Sequence, residues 1–275
     1  MEGNVIQICK HFGKRIGNAL RSERHQPTPE EMETVNLRNC ERKLTGLLNA
    51  NFKEGDSHVT LTYFKQQRVP PAQARKYVKK FLREMRKEFR QHGTVMKYIL
   101  VTEYEKTAIH HHLIINDIND ASLLQIVKRH WRYGSTKHTT LYSVEFSQLA
   151  AYLIKETKDT FRKKDGSARQ RYSCSRNLIR PKATTELISK ARVWLKEPRA
   201  PKGWFIPSNL IFNGTDWQGR PYQRYTMIKL TAGHPPQYLS LDEQLHWWED
   251  LLEIQPENKQ AKSEIRFLKT QLQGI

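Results

Sequence analysis

The sequence predicts an α+β protein, with a central antiparallel sheet flanked by helices and a C-terminal helical appendage. Three observations carry that expectation. Ala108-Ile109-His110-His111-His112-Leu113-Ile114-Ile115-Asn116 reads as a strand whose second half is a buried apolar run. In the stretch 58–64, Val59, Leu61 and Tyr63 alternate with Thr60, Thr62 and Phe64, the period of a strand with two different faces. Between these two stretches, Val78, Phe81, Leu82, Met85 and Phe89 recur at helical spacing on one face.

Composition limits the partners. A chain of 275 residues suffices for one large domain or for a domain with a sizeable appendage. Its 47 Lys and Arg against 28 Asp and Glu leave a net charge of +19, which attracts polyanions. Nucleic acid is the leading partner and a membrane surface the competitor. No apolar run is long enough to span a bilayer, and the N-terminus carries no signal-peptide core, so neither a membrane span nor export is expected. Cys9, Cys40 and Cys174 are odd in number, widely separated and in no Cys-x-x-Cys arrangement, which suggests neither a disulfide framework nor a zinc knuckle. A reducing cytoplasm is the expected compartment.

In chain order, residues 1–50 read as an N-terminal extension, with a helix from Glu30 to Leu48 running through Gly46. Residues 51–182 read as the main domain. After the strand at 58–64, Pro70 and Pro71 lead into the helix of Val78 to Phe89, whose opposite face is basic and is opposed only by Glu84 and Glu88. Gly93 ends it, and Val95 to Thr102 reads as the next strand. A tight connection through Glu105, Lys106 and Thr107 makes Val95 to Asn116 an antiparallel hairpin. Asn119 or Asp120 is expected to cap a helix over Leu123 to Trp131 that closes at Gly134. A third strand is expected at Leu141 to Phe146, and Ser147 then caps a helix carrying Leu149, Leu153 and Ile154. Residues 183–238 form an aromatic and proline-rich appendage, with two short strands around Asn213-Gly214 to Gly219. Residues 239–275 form a helical hairpin that starts at a Ser240/Glu243 capping box.

The candidate chemistry lies in the middle of the chain. Alternation puts His110 and His112 on one strand face and His111 on the other, so two imidazoles can grip one metal ion. The hairpin brings Glu103, with Glu105 as fallback, beside them as a carboxylate ligand, and such a mixed set with open positions suits a catalytic ion. On the following helix Tyr152 and Lys155 are three apart and therefore neighbours. The bland alternatives are a surface histidine cluster, a solvent-facing carboxylate, a core tyrosine and a solvated lysine. Beyond that helix, Arg162, Lys163, Lys164, Arg169, Arg171 and Arg176 surround Tyr172, a mixture suited to single-stranded DNA, where cations track phosphates and rings stack on bases.

Taken together and in order, Val59-Thr60-Leu61-Thr62, the His110-x-His112 strand and the helical Tyr152-x-x-Lys155 resemble the HUH endonuclease superfamily. Within it they resemble the single-tyrosine rolling-circle replication initiators of plasmids, phages and mobile elements. The resemblance covers roughly residues 55–180. It departs from the pattern at His111, where the family usually has a bulky hydrophobe, and in a short connection between Glu103 and His110. It implies an open, RRM-like sheet. It also implies His110, His112 and Glu103 as ligands to Mg2+ or Mn2+, Tyr152 as nucleophile and Lys155 as its helical partner. The implied activity is site-specific nicking and joining of origin DNA through a 5′-phosphotyrosine. No Gly-x-x-x-x-Gly-Lys-Ser/Thr loop is present, so unwinding falls to a host helicase and extension to a host polymerase. A single-tyrosine transposase or relaxase shares this chemistry, and a non-catalytic basic DNA- or RNA-binding repressor is the alternative from another class.

Overall fold

The computed structural model describes residues 4–11, 28–66, 69–104, 108–118, 121–155, 157, 171–187, 195–215, 220–230 and 234–273. Its elements in order are β1 (Val5–Lys10), α1 (Pro29–Asn51), β2 (Ser57–Thr62), α2 (Pro71–Gln91), β3 (Tyr98–Tyr104), β4 (Ile109–Ile115), α3 (Leu123–His130), β5 (Thr136–Thr140) and α4 (Ser147–Lys155). Then come β6 (Ser173–Cys174), β7 (Trp204–Phe205), a 3-10 turn (Ser208–Leu210), β8 (Phe212–Thr215), β9 (Pro221–Lys229), α5 (Leu241–Ile254) and α6 (Lys259–Gln273). The chain divides into two compact units. One comprises Val35–Tyr142 and Phe146–Pro181, and the other Met1–Thr34, Ser143–Glu145 and Lys182–Ile275.

The first unit is built on a five-stranded sheet in the order β5-β2-β4-β3-β6, with β2–β4, β2–β5, β3–β4 and β3–β6 all antiparallel. One face carries Val59, Leu61, Leu100, Leu113 and Ile115, packed against Val78, Phe81, Met85 and Phe89 of α2 and Ile126 and Val127 of α3. The other carries Ile99, Val101 and Ile114, packed against Leu44 and Leu48 of α1 and Leu153 and Ile154 of α4. Helices on both faces explain why β4 ends in an unbroken apolar run, since a central strand covered on both sides has no solvent face to alternate with. The expected α+β architecture, with its antiparallel sheet and flanking helices, is the one found.

Local expectations shift in four places. Helix α3 is capped by Ser122, whose hydroxyl accepts a hydrogen bond from Gln125 N, whereas Asn119 and Asp120 lie outside the described residues. The third strand is β5 over Thr136–Thr140, pairing with β2 in the register Val59↔His138, and it ends before Leu141–Phe146. Leu141 and Phe146 are buried in the core between α1 and α4, so their hydrophobicity marks packing and not a strand. Strand β3 begins at Tyr98, because Val95 is exposed and Asn116 Oδ1 accepts a hydrogen bond from Lys97 N just ahead of the ladder. Helix α1 continues three residues past Leu48, to Asn51.

The second unit holds a sheet in the order β1-β9-β7, with β8 also paired to β9. Strand β1 pairs with β9 over its whole length, from Val5↔Ile228 to Lys10↔Gln223, a role that residues 1–50 gave no sign of. In place of two short strands near Gly214, the hairpin joins a four-residue β8 to a nine-residue β9. The expected capping box starts α5, with Ser240 accepting from Glu243 N. Trp247, Trp248 and Leu251 of α5 and Ala261, Ile265 and Leu268 of α6 enclose Phe205, Ile228 and Leu230. Among the described residues no helix is long and apolar enough to cross a membrane.

Candidate active site

The ladders of β2, β3 and β4 determine which side chains share a face. Thr60 and Val101 lie opposite His112 on its two neighbouring strands, and Thr62 and Glu103 lie opposite His110. Cross-strand partners project to the same side, so His58, Thr60, Thr62, Glu103, His110 and His112 all belong to the face covered by α1 and α4. His111 projects to the α2 side. There Tyr63 Oη is 2.8 Å from its Nε2 and Thr102 Oγ1 is 2.9 Å from its Nδ1. Burial pulls its pKa from 6.5 to about 3, so the ring is neutral, donating from one nitrogen and accepting at the other.

His112 and Glu103 are both buried, and His112 Nε2 lies 3.4 Å from Glu103 Oε2. The other nitrogen of His112, Nδ1, lies 3.1 Å from His58 Nε2. Burial foremost, then the charges of His112 and Lys137, lowers the His58 pKa to about 4, so this ring too is neutral. His110 Nδ1 is buried and has no hydrogen-bond partner. An orphaned imidazole nitrogen two residues from a second imidazole, with a carboxylate on the adjacent strand, is a donor set of the type that divalent ions take. Among the described residues, however, no three His, Cys, Asp or Glu side chains form a group that could hold a metal as they stand, and Glu105 lies outside those residues.

Helix α4 brings the tyrosine to this face. Its first turn closes with a hydrogen bond from Ala150 N to Phe146 O, and Phe146 N donates in turn to Asn49 Oδ1 of α1. Ala150, Leu153 and Ile154 are buried, which leaves Tyr152 on the open side, 45% exposed. Its ring meets His112 edge-on at 5.5 Å between centroids and His58 at 6.5 Å. Lys155 is exposed in the last turn.

The face thus brings together Tyr152, His112, His58, Glu103 and His110. Arg171 donates to Thr157 O and Oγ1, Tyr172 is half-buried against the α1/α4 core with its pKa raised by that burial, and Arg176 is exposed. Arg162, Lys163, Lys164 and Arg169 lie outside the described residues. His58 was not singled out from the sequence. The signal was nevertheless present, since the alternation that orients Thr60 and Thr62 also places His58 on their face.

Residues 56–161 match the model of a family of replication-associated proteins, the ORF2 family. The matched stretch contains His58, Glu103, His110, His112, Tyr152 and Lys155, so this similarity connects the site with a family of DNA-replication proteins. No curated protein and no solved structure matches the chain.

Proposed function

We propose that the protein nicks and rejoins one strand of origin DNA through a 5′-phosphotyrosine, and so initiates rolling-circle replication of a plasmid, phage or integrated mobile element. The observation that carries this reading is the exposed Tyr152 ring lying edge-on to His112 at 5.5 Å, on the face that also holds His110 and Glu103. In the reaction the Tyr152 phenol oxygen attacks the scissile phosphorus and the bond from phosphorus to the 3′ oxygen breaks. The phenolic proton leaves through solvent, and the departing 3′ oxygen takes one up. The product is a phosphotyrosine ester on one side and a free 3′-hydroxyl on the other, which a host polymerase can extend. Attack by another 3′-hydroxyl reverses the step and joins the strand.

A phenol with a reference pKa of about 10 is mostly protonated near neutrality, so the nucleophile needs help. Lys155, three residues further along α4, supplies a cation for the developing phenolate. His110, His112 and Glu103, or Glu105 in its place, are the residues to hold Mg2+ or Mn2+, and the bound ion supplies Lewis acidity to the phosphate. The orphaned His110 Nδ1 supports that assignment, because a buried nitrogen without a partner is costly unless something else satisfies it. Arg162, Lys163, Lys164, Arg169, Arg171, Tyr172 and Arg176 are proposed to track the single strand, a host helicase to unwind the duplex, and the cytoplasm to be the working compartment.

The test is incubation with Mn2+ and a labelled single-stranded oligonucleotide taken from a palindrome beside the gene, followed by denaturing electrophoresis. A labelled band that migrates with the protein is the expected result. Binding without any covalent band would assign the chain to the non-catalytic DNA-binding class.

A further inference from the structure

In the unit made of Met1–Thr34, Ser143–Glu145 and Lys182–Ile275, the two faces of the β1-β9-β7 sheet are treated differently. On one, Gln223, Tyr225 and Met227 are buried. On the other, Val5, Phe205 and Ile228 lie under α5 and α6, but the same face continues beyond the helices to Arg224, with Cys9 and Phe212 opposite it on the neighbouring strands, and to Tyr222 opposite Gly214. Cys9 is exposed and Phe212 is 46% exposed, although a phenylalanine ordinarily seeks cover.

This stretch is built flat. Phe212 and Gly214 point to the same side of β8, and the Phe212 ring lies over the glycine so closely that an added Cβ would come within 2.7 Å of Phe212 Cε1 and 3.0 Å of Tyr222 Cε1. With no side chain at Gly214, the Phe212 and Tyr222 rings lie side by side, 5.4 Å apart and tilted by only 34°. The Arg224 guanidinium sits over the Phe212 ring at 5.9 Å, a cation on a π face. None of the four strands contains Asp or Glu, whereas Lys10, Arg224 and Lys229 are all basic. Rings that offer flat faces on an antiparallel sheet, with cations beside them and no carboxylate to repel phosphate, suit bases and backbone of single-stranded nucleic acid together.

We propose that Phe212, Tyr222 and Arg224 form a second single-stranded DNA site, stacking unpaired bases outside the unit that carries Tyr152. The inference takes its ligand from the nicking reading, but it makes its own claim about this sheet. Two contacts on one strand would raise the affinity of the whole chain above that of either alone.

The experiment uses the full chain carrying Tyr152→Phe, so that only binding is read, with a fluorescein-labelled oligothymidylate as probe. Phe212→Leu keeps apolar bulk beside Tyr222 but removes the flat ring, and it is expected to weaken binding about tenfold. Arg224→Gln removes one cation and should lower the slope of log affinity against log salt by ~0.7. An oligonucleotide bearing 5-iodouracil should photocross-link to a peptide containing Phe212 or Tyr222. Wild-type affinity and salt slope in both variants, with cross-links confined to residues 35–181, would overturn the proposal. A chain that binds through Phe212 yet leaves no covalent band would remove the nicking reading while this site stands. A covalent band with Phe212→Leu binding unimpaired would do the opposite.

Discussion

His58 Nε2 lies 3.1 Å from His112 Nδ1, on the side of the imidazole away from Glu103, so His112 is held at both nitrogens, from β2 and from β3. A ligand histidine whose second nitrogen is hydrogen-bonded keeps one tautomer and one ring orientation. His58→Ala is therefore expected to weaken Mn2+ binding about 10- to 100-fold, read by paramagnetic resonance of the free ion, with partial recovery in His58→Gln. Unchanged Mn2+ affinity in His58→Ala would mean that His112 is oriented without it.

His111 should behave as a structural residue. His110→Ala and His112→Ala are expected to abolish nicking with the fold retained. His111→Ala instead leaves Tyr63 Oη and Thr102 Oγ1 without their shared partner, next to the cavity it creates, at a cost of about 2–3 kcal/mol. Its depressed pKa fixes the sign of a pH effect. Below 6.5 the unfolded chain takes up a proton that the folded ring refuses, so this contribution is full above 6.5 and is lost as the pH falls toward about 3. Urea midpoints measured at about pH 7 and about pH 5 should therefore draw closer together in His111→Leu than in the parent. Equal loss of nicking for all three histidine variants would contradict the alternation of β4.

Gly134 lies against the backbone of Thr62. A Cβ there would collide with the Thr62 carbonyl, the group that also accepts a hydrogen bond from Trp131 Nε1, and would stand 2.6 Å from Tyr63 Cα. Backbone cannot rotate away as a side chain can. Gly134→Ala is expected to lower stability by about 1–3 kcal/mol and to reduce nicking as well, because Thr62 is the β2 partner of His110. Gly46→Ala is the control. It sits inside α1 with Pro181 Cγ no closer than 4.0 Å, and alanine should stabilise the helix by about 0.5–1 kcal/mol. Thermal unfolding of the two variants reads the contrast.

Much of the site was legible because it is written in short-range alternation. The period of two in β2 and β4 fixed the faces of His110, His111 and His112 before any pairing was known, and the helical period of α2 marked its buried side. What the sequence hid depends on distant partners. Strand β1 exists because Val5–Lys10 finds β9 more than two hundred residues later, and no local pattern announces that pairing. Leu141–Phe146 looked like a strand because apolar residues cluster there, while the true strand at Thr136–Thr140 is made of threonines whose β-branching counts for more than their polarity. His58 escaped notice because it touches His112 only across the β2–β4 ladder.

The sharpest prediction concerns which of eleven tyrosines carries the DNA. Among the described residues, Tyr142 and Tyr152 are the tyrosines with large exposure, 55% and 45%. Exposure alone does not choose between them. The neighbours of Tyr152 do, since its ring meets both His112 and His58, whereas Tyr142 follows the core residue Leu141 out of the sheet. Tyr152→Phe removes one oxygen and keeps the ring, so oligonucleotide affinity should stay within about twofold while the covalent adduct disappears. Lys155→Ala should slow adduct formation by about 10- to 100-fold without ending it. Tyr142→Phe should react at the parental rate. Mass spectrometry of the nuclease-trimmed adduct should place the nucleotide on the α4 peptide. A modified peptide carrying any other tyrosine would mean that the Tyr152 and Lys155 roles are misassigned, even in a chain that nicks DNA.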